Sequence, residues 1–309
     1  MDALVSARNL TKLYGLVIGV NDVTLDIPKG VHGLLGPNGA GKSTLMKLIT
    51  GQLVPTEGEL QVLGERPWNN PSLFRRIGFC PEQDAFYSFL SALEFVTVLA
   101  RMSGLSWSQA QGRAASALER VGATEFMNRK IATYSKGMRQ RTKLAQALVH
   151  DPELLILDEP LSGLDPVGRR EMTDLLNALA KEGKGILVSS HVLHEVQVVT
   201  KEFLLIYAGR VLASGNVHEI RALMNRHPHR ITLRSPDGRH LAQQLVRDLP
   251  IAGIELDEEK GSFSVLTRDP AGFYDGLGRI VLESGLRVTE MVSEDDNLDA
   301  VFRYLVARD

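Results

Sequence analysis

The segment "GLLGPNGAGKST", residues 33–44, constrains the architecture of this chain more than any other. It follows an apolar run, Val31–Leu35, and leads into a helical pattern, "TLMKLITG". Gly36, Gly41, Lys42 and Ser43 fall on the spacing G-x-x-x-x-G-K-[ST]. Pro37, Asn38, Gly39 and Ala40 complete the loop, and Thr44 follows it. Glycines let backbone N–H groups turn inward around phosphate oxygens. A helix dipole offers an anion at most ~2 kcal/mol, too little to hold a nucleoside triphosphate. Lys42 and a magnesium ion held by Ser43 must therefore share the charge. The segment predicts a site for a nucleoside triphosphate.

A second motif fits the same chemistry. "LLILDEP" ends an apolar run with Asp158 and Glu159 at its carboxyl edge, where parallel sheets bind ligands. Asp158 there can hold magnesium through water. Glu159, pointing the other way, can reach an attacking water. A free glutamate, with a pKa of about 4.3, is a weak base, and burial beside Asp158 should raise that value. A structural or magnesium-supporting role for Glu159 stays open.

Short β-like runs alternate with helical patterns, which predicts an α/β fold with a buried sheet. The expected strands are Val31–Leu35, Ile77–Cys80, Leu154–Leu157, Gly185–Ser189 and Phe203–Tyr207, the last forming a hairpin with Val211–Ala213. Between about residues 84 and 150 the pattern turns helical, as an inserted subdomain would. A boundary falls in "NRHPHR", dividing a first domain, 1–225, from a second, 226–309. The second reads strand (231–234), helix (239–248), strand (251–256), strand (262–267), helix (271–284), strand (286–291), helix (297–306). Its first six elements follow the β–α–β–β–α–β order of a ferredoxin-like unit, a small α+β domain. His227, His229 and His240 match no tight ligand spacing and read as part of a solvated linker.

With 35 basic and 37 acidic residues, the net charge of −2 does not support nucleic-acid binding through bulk charge. The single cysteine, Cys80, excludes an internal disulfide. No run approaches the ~18 apolar residues of a bilayer span, and "MDALVSARNL" does not read as a signal peptide. A cytoplasmic chain, touching membrane only through a partner, is expected.

One helix carries its charges at an unfavourable end. In "YSKGMRQRTKLAQAL", residues 134–148, Ser135 is a good N-cap, yet Lys136, Arg139, Arg141 and Lys143 crowd the first two turns. Each cation there loses roughly 0.3–1 kcal/mol to the helix dipole. Either neighbouring carboxylates and solvent absorb that loss, or an anion arrives.

Together these motifs resemble the nucleotide-binding ATPase of an ABC transporter, over about residues 4–224. Tyr14, the P-loop, Gln83 in "FCPEQD", "YSKGM", "LLILDEP", "LSGLDP" and His191 in "VSSH" occur in the family's order. The resemblance implies a P-loop NTPase fold of ABC type: a RecA-like core sheet, an antiparallel β subdomain and the helical insertion. It implies ATP and magnesium as ligands. Tyr14 would stack on adenine. Gln83 would touch magnesium and the attacking water, and His191 would contact the γ-phosphate and orient that water. Asp165 would lie across a dimer interface. ATP would be sandwiched between the P-loop of one protomer and Ser135 and Gly137 of another, in a head-to-tail dimer of identical chains. Lys136 would either meet that γ-phosphate or be solvated.

"YSKGM" departs from the commoner "LSGGQ" at three of five positions and keeps the serine and the second glycine. With the small C-terminal domain, this resembles drug-, polysaccharide- and sodium-exporter ATPases. The implied partner is an integral-membrane permease subunit, moved through the helical subdomain around Phe86–Met102, with the ATPase peripheral on the inner face of the cell membrane. The alternative is a soluble ABC ATPase acting on a macromolecule. Ribosomal members usually carry two cassettes and DNA-repair members long coiled coils, and this chain has neither.

Overall fold

The computed structural model describes residues 3–216, 228–257 and 262–293. The chain divides into two compact units, Met1–Asn216 and Val217–Asp309. The boundary expected at 225/226 lies outside the described residues.

The first unit begins with β1 (Ala3–Tyr14) and β2 (Val17–Pro28), then β3 (Val31–Leu35) and α1 (Lys42–Ile49). There follow β4 (Glu57–Val62), α2 (Pro71–Phe74), β5 (Ile77–Cys80), α3 (Ala92–Met102), α4 (Trp107–Arg120) and α5 (Lys136–Leu148). It ends with β6 (Leu154–Leu157), α6 (Pro166–Lys181), β7 (Gly185–Ser190), α7 (Leu193–Gln197), β8 (Glu202–Tyr207) and β9 (Arg210–Asn216). Six strands form one sheet in the order β5-β6-β7-β3-β8-β9. The pairs from β5 through β8 are parallel, and β9 returns antiparallel. Every residue of β6 and of β7 is buried, which is why β6 reads as an unbroken apolar run and β7 as one up to Val188, before Ser189 and Ser190.

This strand order positions the site. β6, β7 and β3 are neighbours, so Asp158 and Glu159, His191, and the loop at Gly36 leave three adjacent strands at one carboxyl edge. In open parallel sheets ligands bind in the crevice outside the carboxyl ends of the strands. A second sheet, β2-β1-β4, is antiparallel. Its core face (Leu4, Val5, Leu10, Val20, Val23, Leu60 and Val62) packs in one cluster with Leu45 and Met46 of α1, anchoring the helix that follows the P-loop.

The helical stretch contains α3, α4 and α5. Reciprocal capping boxes, Ser91 with Glu94 and Ser106 with Gln109, start α3 and α4. Phe95, Val96, Ala114 and Leu118 supply their buried faces.

The second unit runs β10 (His229–Arg234), α8 (Gly238–Asp248), β11 (Gly253–Asp257), β12 (Ser262–Thr267), α9 (Pro270–Ser284) and β13 (Glu290–Ser293). Its antiparallel sheet has the order β11-β12-β10-β13. Ile231, Leu233, Phe263 and Val265 pack against Leu241 and Leu245 of α8 and Phe273 and Leu277 of α9. The last strand starts later than the expected 286–291. Gly285 closes α9 in the left-handed region (φ 71°), and Leu286 and Val288 pack on the core as connector. Ladder pairing begins only where Glu290 meets Arg234. His227 and the helix expected over 297–306 lie outside the described residues.

Two half- to fully buried histidines give the first unit a pH signature. His32 Nε2 lies 3.0 Å from the Pro28 carbonyl and His150 Nε2 lies 2.9 Å from that of Ile77, so in each ring Nε2 is the protonated nitrogen and donates. His150 Nδ1 is buried with no partner among the described residues. Burial pushes both imidazoles below their ordinary value, against the raising effect of those carbonyls. Their contribution is complete above the unfolded-state pKa and is lost as pH falls from there through the folded value, because the unfolded chain takes the proton first. Each adds a slope of at most about 1.4 kcal/mol per pH unit. The melting temperature should therefore fall between about pH 7 and pH 5. His150→Gln should flatten that fall, and an unchanged slope would exclude His150 as a contributor.

A candidate nucleotide site at the strand ends

The P-loop backbone turns where side chains could not follow. A Cβ on Gly36 would stand 2.4 Å from the Ile206 carbonyl oxygen, and one on Gly41 2.5 Å from that of Gly19. Gly39 and Gly41 adopt φ of 80° and 108°, in the region open chiefly to glycine. Gly41 also caps α1 without a side-chain bond, so the first N–H groups of the helix stay available to an anion. Lys42 curls back over this cradle and donates to the carbonyls of Gly36 (2.6 Å) and Pro37 (3.3 Å). Burial lowers its pKa, opposed by Glu159 and Asp158; its Nζ stands 3.8 Å from Glu159 Oε1.

The two acids that follow β6 are held from α1, from β7 and from the turn after it. Asp158 Oδ2 accepts from Ser43 Oγ at 3.0 Å and Oδ1 from Ser189 Oγ at 2.5 Å. Glu159 turns off the strand line at φ 49°. Its N–H donates to Ser189 Oγ at 2.9 Å, and both carboxylate oxygens lie 3.0 Å from His191 Nδ1. Nδ1 must carry the proton to bond an ionised carboxylate. Burial drives the Glu159 pKa up; His191 and Lys42 oppose the rise and Asp158 adds to it.

Two cavities share this wall. One, of about 410 Å³, is lined by the P-loop from Pro37 to Thr44 and by Tyr14, Val17, Ile18, Glu82, Asp158 and Glu159. Tyr14 stands half-exposed at its mouth, its hydroxyl 3.5 Å from Thr44 Oγ1 and Lys12 Nζ 5.7 Å above its ring. The other, of about 520 Å³, is lined by Gln83, Lys136, Arg139, Gln140, Lys143, Ser162 and again Glu82 and Glu159. Gln83 thus opens onto Glu159 from the far side and does not line the P-loop cavity. A contact between Gln83 and a cation at Ser43 would need its loop to close.

The crowded cations of α5 largely find their own carboxylates. Arg139 and Lys143 both pair with Asp84, at 3.3 and 3.2 Å, and Lys143 also donates to the Glu82 carbonyl. Arg141 pairs with Glu171 and donates to the Val121 carbonyl. Lys136, at the first helical position, lies across Gly163, where a Cβ would meet its Nζ at 2.2 Å. Ser135 Oγ caps α5 by accepting from Met138 N, and Asp165 caps α6 by accepting from Gly168 N. Ser135, Gly137 and Asp165 line neither cavity.

Sequence reasoning missed Ser189, Asp84 and Gln140. Gln140 is 3% exposed, faces the second cavity and leaves its Nε2 without an acceptor among the described residues. Gln140 shares its helix face with Lys136 and Lys143, so no local signal singled it out. A hydroxyl ending a fully apolar strand was the signal for Ser189.

The site suits a magnesium triphosphate. Ser43 and Asp158 present two oxygen ligands side by side, the donor type a hard cation takes. Among the described residues no group of three or more His, Cys, Asp or Glu could hold a metal alone. The remaining ligands would come from phosphate oxygens and water, as magnesium commonly takes them.

Residues 20–162 match the family model described as ABC transporter. Over 312 residues the chain is 32% identical to the bacitracin transport ATP-binding protein BcrA of Enterococcus faecalis, covering 99% of this chain and 97% of that protein. It is 31% identical over 300 residues to the daunorubicin/doxorubicin resistance ATP-binding protein DrrA of Streptomyces peucetius, covering 96% and 91%. The dimeric ATP-binding cassette MJ0796, solved in a post-hydrolysis state with ADP and Pi, superposes with a TM-score of 0.64 at 26% identity, covering 69% of this chain and 98% of that one. The strand order, the glycine cradle with its lysine, the paired acids and these full-length relatives converge on one assignment: the chain belongs to the ATP-binding proteins of ABC transporters.

Proposed function

We propose that the chain binds ATP with magnesium, hydrolyses it within a head-to-tail dimer, and thereby drives a separate integral-membrane subunit that exports its substrate. One observation carries the hydrolytic part: Lys42, Glu159 and His191 converge within hydrogen-bonding or ion-pair reach at the mouth of a phosphate cradle whose Ser43 is bonded to Asp158. Lys42 exchanges its bonds to Gly36 and Pro37 for phosphate oxygens. Ser43 and Asp158 hold the cation, which supplies positive charge against the phosphate oxygens. Glu159 removes the proton of the attacking water, and His191, held by Glu159, orients that water and contacts the γ-phosphate. Gln83 reaches the same water from the second cavity.

Ser135, Gly137 and Asp165 have no work in the cradle of their own chain. That supports their facing a second copy, as does the dimeric state of the MJ0796 cassette. Tyr14 receives the adenine. Exposed Tyr87, Phe89, Val98 and Met102 on the helical stretch form the surface through which closure reaches the membrane subunit. Transport is supported by the name of the bacitracin relative, and the outward direction by the resistance named for the daunorubicin/doxorubicin relative. No helix among the described residues is long and apolar enough to cross a membrane. The name of the bacitracin transport relative supports a place on the cytoplasmic face, held there through the membrane partner. The expected result is that the tagged full-length chain, drawn from detergent-solubilised membranes, brings one integral-membrane protein with it. Recovery with ribosomes or DNA instead would favour the soluble alternative.

A further inference from the structure

We infer that Ser189 is a positioning residue whose one hydroxyl sets both the cation-holding carboxylate and the general base, an inference that rests on the roles of Asp158 and Glu159 proposed above. Ser189 is fully buried near the carboxyl end of β7. A hydroxyl has one proton and two lone pairs. Here the proton goes to Asp158 Oδ1 at 2.5 Å, and a lone pair takes the N–H of Glu159 at 2.9 Å. Both acids of β6 therefore hang from a single atom on the next strand.

Each needs that support for a separate reason. The β6–β7 pairing ends at Leu157 with Val188, so the Glu159 N–H has left the ladder when the chain turns to φ 49°. A buried N–H without an acceptor is strongly disfavoured, and Ser189 supplies the acceptor that keeps this turn, aiming the carboxylate at His191 and Lys42. For Asp158, filling Oδ1 from β7 leaves Oδ2 facing Ser43, the side where a cation would sit. Bonds arranged as N–H to hydroxyl to carboxylate polarise one another in the same direction. The adjacent Ser190 is used differently: it donates to Glu195 and accepts from Val192 N, bracing the turn that carries His191. Two neighbouring serines thus divide the task, one for the acids and one for the histidine loop.

Ser189→Ala, Ser189→Cys and Ser189→Thr in the full-length chain test this. Alanine removes the hydroxyl, cysteine replaces it with a weak donor and acceptor, and threonine keeps it. The readouts are ATP binding in EDTA, Mn²⁺ binding by electron paramagnetic resonance with a non-hydrolysable ATP analogue, and phosphate release. Removing such an outer support typically costs about 10–100-fold in metal affinity or activity. The expected result is a loss of that size in Mn²⁺ affinity and turnover for the alanine and cysteine variants, with metal-free ATP binding kept and threonine near wild type. Unchanged Mn²⁺ affinity, equal loss of metal-free binding, or a threonine variant as impaired as alanine would each overturn the inference. If the alanine variant fails to fold, the cysteine–threonine contrast decides. Glu159→Gln measured alongside separates the two readings. Normal turnover in that variant would remove the base assignment, while the Mn²⁺ shift at Ser189 would still stand or fall by itself.

Discussion

Glu159→Gln is expected to bind ATP as the wild type does, to hydrolyse it about 10²–10⁴-fold more slowly, and to accumulate as an ATP-bound dimer. Glutamine has nearly the same shape, so the turn at φ 49° and the bond from the Glu159 N–H to Ser189 are unaffected. What disappears is the basic oxygen and one negative charge 3.8 Å from Lys42. Lys42 then loses a competitor for phosphate, which favours nucleotide binding while proton removal from water fails. The same residue predicts a pH dependence for the wild type. Burial raises the Glu159 pKa above the ordinary carboxylate value, and only the ionised form can accept a proton. Turnover should therefore begin to fall on acidification at a higher pH than a free carboxylate would give. Phosphate release measured against pH, with ATP binding followed separately, checks both statements. Near-normal turnover in Glu159→Gln would assign the base elsewhere.

What the sequence revealed and what it concealed divide along a physical line. The parallel strands were legible because β6 and β7 are buried on every residue, which leaves β6 apolar throughout and β7 apolar up to Val188, runs too short for a helix. The P-loop was legible because its glycines are demanded by contacts as close as 2.4 Å. The antiparallel sheet was harder to read. β1 carries register shifts around Ala7–Leu13, and Asn9 and Asp22 take positive φ, so the alternation of β1 and β2 is broken. Pairings between distant segments were invisible for a different reason. Ser43 bonds Asp158 across 115 residues, Asp158 bonds Ser189 across 31, and Arg139 finds Asp84 across 55. No local pattern encodes such a contact, because the strand order that creates it is a property of the whole sheet.

The four cations of α5 show the same line within one helix. Their charge was legible, and their partners were not. Three of the four pair within their own chain, Arg139 and Lys143 sharing Asp84 and Arg141 taking Glu171, which removes much of the local electrostatic oddity. Lys136 alone has no carboxylate among the described residues and lies on Gly163, beside Ser162 and Glu159 in the second cavity. Only this cation, next to Ser135, is left to solvent or to an anion from outside.

That residual demand leads to the second large effect. Chains carrying Lys42→Ala or Ser135→Arg should each fail to hydrolyse ATP alone, and mixing them should restore one working site per mixed dimer. Lys42→Ala removes the cation over the cradle but leaves Ser135 and Gly137 intact for a neighbour. Ser135→Arg leaves the cradle intact, removes the hydroxyl offered to a neighbour's phosphate, and puts a bulky guanidinium there. The lost cap costs α5 about 1 kcal/mol. This is small against a typical stability of 5–15 kcal/mol, since Leu144, Ala145 and Leu148 bury the rest of the helix. Both chains should fold, and their defects lie in opposite halves of the proposed site. In a head-to-tail dimer the intact cradle of one chain meets the intact Ser135 of the other, so phosphate release returns in cross-linked mixed dimers. If each chain completed its own site, every chain in the mixture would carry a broken half and phosphate release would not return. Cross-linked mixed dimers that release no phosphate would thus exclude the head-to-tail arrangement. They would also leave Lys136 and Ser135 without the partner that their position calls for.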